Sequence, residues 1–177
     1  RTVGDAVAVV VAETAKQAKD AADLVMVDYD ILPSVTDTAA ALKSDATIWD
    51  EAPDNKVFDW ENGDREAVDA ALAKAAHVTK IDLTNNRVVV ASMEPRGAIG
   101  QYDEKSGRYT LHTPCQNVHM MRDIVAGSLG AEADQLRVVS PDVGGGFGMK
   151  VFVYPEQCLV PWLAKKTGRP VKWTADR

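Results

Sequence analysis

From Ile99 onward the apolar pattern changes period repeatedly, and that alternation restricts the available folds more than any other feature of the chain. Ile99 to Asp103 and Tyr109 to His112 read as strands around Glu104-Lys105-Ser106-Gly107, which predicts a hairpin. Asn117 then caps a helix with Val118, Met121, Ile124, Val125 and Leu129 on one face, and Gly130 sits where a left-handed glycine ends a helix. Leu136 to Ser140 follows as a strand, Pro155 to Lys166 as a helix closed by Gly168, and Val171 to Thr174 as a strand. After the hairpin's first strand the order is β-α-β-α-β, the pattern of parallel strands joined by crossover helices. Loops leaving the carboxyl ends of such strands share one edge of the sheet, and ligands bind there. Two loops are therefore expected to face one ligand: Thr113-Pro114-Cys115-Gln116, and the stretch from Asp142 to Met149.

The second of these loops contains Gly144-Gly145-Gly146-Phe147-Gly148. Residues without a Cβ let a backbone approach a bound molecule closely and leave N–H groups free to point at oxygen or sulfur acceptors. The single aromatic is then the one large side chain the run presents. Phosphate-binding patterns do not fit it. A nucleoside-triphosphate loop needs Lys directly after its last Gly and then Ser or Thr, whereas Met149 precedes Lys150 and Val151 follows. A dinucleotide fingerprint counted from Gly144 meets Met149 at its sixth position. Hydrolase triads lack support as well: His77, His112 and His119 are the available imidazoles, each read as structural, and no nucleophile-elbow pattern occurs. A nucleotide-binding α/β module stays as a third, weak alternative.

The first half is organised differently. Val7 to Val11 is an apolar β-branched run that predicts a covered strand, and Thr14 caps a helix through Asp23. Val25, Val27 and Tyr29 alternate with polar residues as a half-buried strand that Pro33 ends. Ser44 to Gly63 loses periodicity and reads as a linker or arm carrying Trp49, Phe58 and Trp60. Asp64 caps a further helix with Ala67, Val68, Ala71, Leu72 and Ala75 at helical spacing, and Val78 to Leu83 and Arg87 to Ala91 read as strands. The domains expected are residues 1–43, an arm over 44–63, and 64–177. The fold class is mixed α+β and α/β.

A hydrophobic content of 46% and a charged content of 26% are those of an ordinary globular chain. The net charge of -6 opposes a nucleic-acid partner, which needs a basic face. Lys165, Lys166, Arg169 and Lys172 cluster at a helix end, where they complement its dipole. Cys115 and Cys158 match neither a metal spacing nor a disulfide framework, so a reducing, cytoplasmic setting is expected. No run approaches the ~20 apolar residues that span a bilayer. Both termini run into strand-like sequence, which reads as a fragment of a longer polypeptide.

Met93-Glu94-Pro95-Arg96, Thr113-Pro114-Cys115-Gln116, Ser140-Pro141-Asp142-Val143-Gly144-Gly145-Gly146-Phe147-Gly148-Met149-Lys150 and Gly168-Arg169-Pro170-Val171-Lys172-Trp173, in that order and spacing, resemble the molybdopterin-binding large subunit of the xanthine dehydrogenase, aldehyde oxidase and carbon monoxide dehydrogenase family. Val3-Gly4-Asp5 with Val7 to Thr14, and Val27-Asp28-Tyr29 through Leu32-Pro33, resemble the end of that family's α/β hammerhead domain. The resemblance implies a hammerhead end over 1–43 and the start of a molybdopterin-binding domain over 64–177. It implies that Gln116 donates a hydrogen bond toward the apical oxygen of the molybdenum, and that Phe147 with Gly145, Gly146 and Gly148 lines the metal and substrate pocket. The implied cofactor is molybdopterin, the cytosine dinucleotide form included, acting on a small-molecule substrate with iron-sulfur and FAD groups on partner subunits or domains. No protein residue is implied as a metal ligand, because a dithiolene holds the metal.

The sequence departs from the family at Pro114-Cys115, where a pair of small hydroxyl residues is usual, and at Met149, where glycine is frequent. The family's catalytic base, a glutamate in a later motif, has no matching position up to Arg177 and is expected beyond it. Glu94, directly before Pro95, and Glu156, in the first turn of a helix, are not adopted in its place. The alternative reading is a noncatalytic remnant or assembly module without that base.

Overall fold

The computed structural model describes residues 2–86 and 88–176. It divides into two compact units, Arg1–Asn85 and Asn86–Arg177. Among its described residues the first unit carries three helices: α1 (Ala15–Ala22), α2 (Thr38–Ala41) and α3 (Arg65–Lys74). Their starts are set by side chains that accept an otherwise orphaned N–H: Thr14 from Gln17, Asp37 from Ala40 and Asp64 from Ala67. Thr14 and Gln17 close a reciprocal capping box.

The strands expected at 7–11, 25–29 and 78–83 do not form, and among the described residues 88–91 form none either. Position 87 of that last strand lies outside the described residues. The physical reason is that β-branched composition reports side-chain preference, whereas a ladder requires a neighbour's N–H and C=O groups. None of these segments pairs, and Val7, Val9, Ile81, Leu83, Val88 and Val89 are exposed.

The second unit holds the core. β1 (Gly97–Asp103) and β2 (Arg108–His112) form the expected hairpin, α4 (Val118–Leu129) crosses to β3 (Leu136–Val139), and α5 (Pro155–Thr167) leads to β4 (Val171–Thr174). The sheet order is β3-β2-β1-β4. β1 runs antiparallel to both β2 and β4, while β2 and β3 are parallel, with His112 beside Val139. The strands β2, β3 and β4 therefore share one direction, and their carboxyl ends share one edge.

One sheet face is buried and the other is not. Ala98, Tyr109, Leu111, Leu136 and Val171 pack with Met121, Val125 and Ala126 of α4 and with Val160, Leu163 and Ala164 of α5. Gln101, Arg137 and Lys172, on the alternate positions, are exposed. Asn117 caps α4 by accepting from the Met120 N–H, and Gly130 at φ 65 and Gly168 at φ 65 end α4 and α5 in the left-handed region.

Candidate functional site

The two loops expected to share a ligand do meet. Thr113, directly after β2, donates its N–H to the Val139 carbonyl (3.0 Å) and its hydroxyl to the Gly97 carbonyl (2.7 Å), fixing where the first loop departs. Gln157 of α5 steadies the same hydroxyl through its Nε2 (3.3 Å). Ser140, after β3, accepts the Cys115 N–H on its Oγ (3.2 Å). The Gln116 N–H then donates to the Lys150 carbonyl (3.0 Å).

Gln116 is exposed, and its amide joins the loops. Its Oε1 accepts the Gly148 N–H (3.0 Å) and the Lys150 N–H (3.3 Å). Two backbone donors on one atom can be met only by the oxygen, so the orientation of the amide follows from the network. Its NH2 group has no acceptor among the described residues. Gly146 is what lets the side chain lie there, since a Cβ on Gly146 would stand 2.5 Å from Gln116 Oε1 and 2.6 Å from Cδ.

The loop itself turns at Gly146 to Met149, where the Met149 N–H donates to the Gly146 carbonyl (2.9 Å). Both central residues have positive φ, Phe147 at 51° and Gly148 at 88°, as in a primed turn. A left-handed phenylalanine costs roughly 1–2 kcal/mol, a strain that surrounding contacts must offset. In return, the Phe147 ring stands 77% exposed against Gly145, where an added Cβ would come within 2.8 Å of the ring. The N–H groups of Gly145, Gly146 and Phe147 find no acceptor among the described residues. Gln116, Gly145, Gly146, Phe147 and Gly148 are thus brought together in one loop cluster that carries N–H groups without an acceptor beside an exposed aromatic ring. A concavity of about 440 Å³ lies elsewhere, near the hairpin turn, and is lined by Tyr102, Arg108, Arg137 and Arg169.

Two residues not assigned to the site from sequence support this surface. Lys150 is fully buried and its Nζ donates to Glu94 Oε2 at 2.7 Å. The same oxygen accepts the Gly144 N–H (2.9 Å), and the Glu94 N–H donates back to the Gly144 carbonyl (3.2 Å). The Lys150 ammonium, and after it the Gly144 N–H, hold the Glu94 carboxyl below its ordinary range. A carboxyl lowered by folding contributes stability above its unfolded pKa of about 4.3, and that contribution is lost as pH falls through the lowered folded value. Acid titration of the complete protein should therefore lower its thermal midpoint less steeply in Glu94→Gln than in the parent across that window. The signal available in the sequence was a lysine beside the glycine run and a glutamate fixed before proline, but nothing in a linear pattern pairs positions 94 and 150.

Glu156 is engaged as well, accepting the Arg96 Nε–H at 2.8 Å. The Arg96 guanidinium lies 3.8 Å from the centre of the Tyr154 ring, and the Tyr154 hydroxyl donates to the Met149 carbonyl (2.7 Å). Both carboxylates left out as bases are thus committed to ion pairs. Among the histidines, His77 contacts the Thr79 hydroxyl at 3.0 Å (Nε2 to Oγ1), His112 is partly buried in β2, and His119 is exposed on α4. Among the described residues no three His, Cys, Asp or Glu side chains converge on a point that could hold a metal. A metal at this surface would have to bring its own ligands, which suits a cofactor that carries them and asks the protein for hydrogen-bond donors and a close backbone. The free N–H groups, the amide NH2 and the missing Cβ atoms meet that requirement.

Comparison with known proteins adds independent findings. The family described as molybdopterin cofactor-binding domain matches residues 48–177. The carbon monoxide dehydrogenase large chain of Hydrogenophaga pseudoflava is 35% identical, over 97% of this chain and 23% of its own length. The nicotine 6-hydroxylase large subunit of Paenarthrobacter nicotinovorans is 36% identical, over 100% of this chain and 22% of its own. Among solved structures, reconstituted CO dehydrogenase from Oligotropha carboxidovorans has a TM-score of 0.86 at 35% identity, covering 92% of this chain and 22% of that one. The chain spans less than a quarter of the length of each of these three proteins.

Proposed function

This chain belongs to the molybdopterin cofactor-binding domain family, and we propose that its paired loops form one wall of the cofactor site in a molybdenum hydroxylase large subunit. The observation that carries this reading is the split use of the Gln116 amide: its oxygen is spent on the Gly148 and Lys150 N–H groups, and its NH2 is left to donate outward. Gln116 would hold the cofactor by that donor, together with the free N–H groups of Gly145, Gly146 and Phe147. The bound group supplies two-electron redox chemistry for transferring oxygen derived from water to a carbon of a small-molecule substrate. The chain's own part is to orient. Fixed donors need no reorganisation when charge develops beside them, which is where preorganised groups have their effect. The exposed Phe147 ring, held in place by the primed turn, would form the substrate-side wall and exclude water from it.

On this reading the cofactor includes the cytosine dinucleotide form of the pterin, and iron-sulfur and FAD groups on partner subunits or domains take the electrons onward. Residues 1–43 form the end of a hammerhead-like domain, 44–63 an arm, and 64–177 the first part of the cofactor domain. The complex works in the cytoplasm; among the described residues no helix is long and apolar enough to cross a membrane. Glu94 and Glu156, tied to Lys150 and Arg96, serve no acid-base role.

Molybdenum and pterin analysis of the complete purified protein tests the assignment directly, and a metal-free complex with all its partners present would sink it. Gln116→Ala should lower turnover by about ten- to a hundredfold, the loss of one well-placed donor, while cofactor content stays within about twofold. Unchanged turnover at normal cofactor content removes Gln116 from the site.

A further inference from the structure

The reading of Gln116 requires the glycine loop to keep one shape, and glycine backbone does not keep a shape unaided. The loop is fastened at both ends to a single carboxylate oxygen. Glu94 Oε2 takes the Gly144 N–H at 2.9 Å and the Lys150 Nζ at 2.7 Å, so the first glycine and the lysine that closes the loop are bound to the same atom. The contact is close: a Cβ on Gly144 would stand 2.6 Å from the Glu94 Cβ. Lys150 is 0% exposed, and a buried ammonium is tolerated only when it is paired and hydrogen-bonded. Lys150 cannot leave Glu94 without stranding that charge.

We propose that the Glu94–Lys150 ion pair is a positioning latch: by fastening Gly144 to Lys150 it fixes the loop between them, and with it the Gly148 and Lys150 N–H groups that turn the Gln116 NH2 outward. This rests on the proposed role of Gln116, through which the latch acts. The segment around Glu94 supplies further braces. Ser92 donates its hydroxyl to the Glu94 carbonyl (2.6 Å), and Arg96 packs on Tyr154, whose hydroxyl donates to the Met149 carbonyl. Residues 92–96 are thus a cradle for the loop that crosses them. Glu94 is a positioning residue, not a base, because its Oε2 is committed to the Lys150 ammonium and the Gly144 N–H, and the cation beside it leaves the carboxylate a weak proton acceptor.

The test uses the complete protein and a double variant, Glu94→Ala with Lys150→Met, which removes the pair without leaving a buried charge. Amide hydrogen exchange is read by mass spectrometry over residues 142–150, with peptides from β2 and α4 as internal references. Exchange over 142–150 should rise at least about tenfold while the reference peptides stay unchanged, a local opening and not a global one. Turnover should fall about tenfold with KM within about twofold, yet by less than about twofold when the same change is made in Gln116→Ala, because effects that act through one group do not add. Unchanged exchange overturns the latch. A turnover loss that is fully additive with Gln116→Ala overturns its action through that residue. Raised local exchange in a protein whose turnover is indifferent to both changes leaves the latch standing and removes the reading of Gln116. Where the double variant does not accumulate, Glu94→Gln with Lys150→Met, which keeps the shape and an acceptor for Gly144 and leaves no buried charge, should show the same local rise on a smaller scale, about threefold, and no rise at all counts against the proposal.

Discussion

Gly100→Ala should destabilise the second unit by about 3 kcal/mol or more, the largest stability loss expected from adding one methyl group to this chain. Gly100 lies in the middle of β1, paired on one side with Leu111 of β2 and on the other with Val171 of β4. It is buried beneath α5, where an added Cβ would collide with the Pro161 nitrogen and the Val160 carbonyl group. Those are backbone atoms of a packed helix, so no side chain can swing aside to make room. The helix as a whole must retreat, and Val160, Leu163 and Ala164 lose part of their contact with the sheet. Pro161 explains why the approach is so close. It brings no N–H to this turn of α5, and a glycine strand can lie directly against the ring nitrogen. Thermal denaturation of the complete protein checks the effect, with Gly127→Ala as control. Gly127 is exposed within α4 and has nothing within 4 Å of an added Cβ, so alanine there should be neutral or stabilising by up to about 1 kcal/mol. A Gly100→Ala midpoint equal to that of the control would contradict the packing account.

The contrast between these two glycines marks what was legible in the sequence. Local chemistry was readable: Thr14, Asp64 and Asn117 cap helices as their side chains predict, and Gly130 and Gly168 end them. The hairpin, the order of helices and strands after it, and the edge on which the two loops emerge also follow from periodicity alone. What fails is whatever depends on a distant partner. The run from Val7 to Val11 has the composition of a covered strand, but a ladder is a property of two segments, and no described segment pairs with it. Gly100 and Gly127 look alike in a linear pattern and differ only in what packs over them. The same limit hid the Glu94–Lys150 pair, 56 residues apart, although both residues stand inside recognisable motifs. Lysine is rarely fully buried, and nothing short of the fold indicates that this one is.

The other large effect is on function. Gly146→Ala should leave the fold formed and abolish most turnover, by about a hundredfold or more, equivalent to roughly 3 kcal/mol of transition-state stabilisation. The φ of Gly146 lies outside the left-handed region, so alanine meets no backbone strain. Its methyl would instead occupy the place of the Gln116 carboxamide, 2.5 Å from Oε1, 2.6 Å from Cδ and 2.8 Å from Cγ. Gln116 is exposed and can rotate into solvent, which limits the stability loss to the bonds it gives up to Gly148 and Lys150, about 1–3 kcal/mol. Function has no such escape. On the proposed role of Gln116, its displacement would withdraw the NH2 from the cofactor and release the Gly148 N–H it held as the primed turn loosens, so two of the loop's contacts would be disturbed at once. Gln116→Ala alone removes one donor and leaves the loop room to keep its shape, so its loss should be the smaller. The combination is diagnostic: in Gln116→Ala the extra methyl of Gly146→Ala meets empty space, and adding it should lower the thermal midpoint no further than Gln116→Ala does by itself. A Gly146→Ala protein with turnover within about twofold of the parent would show that the loop does not need Gln116 where the structure places it.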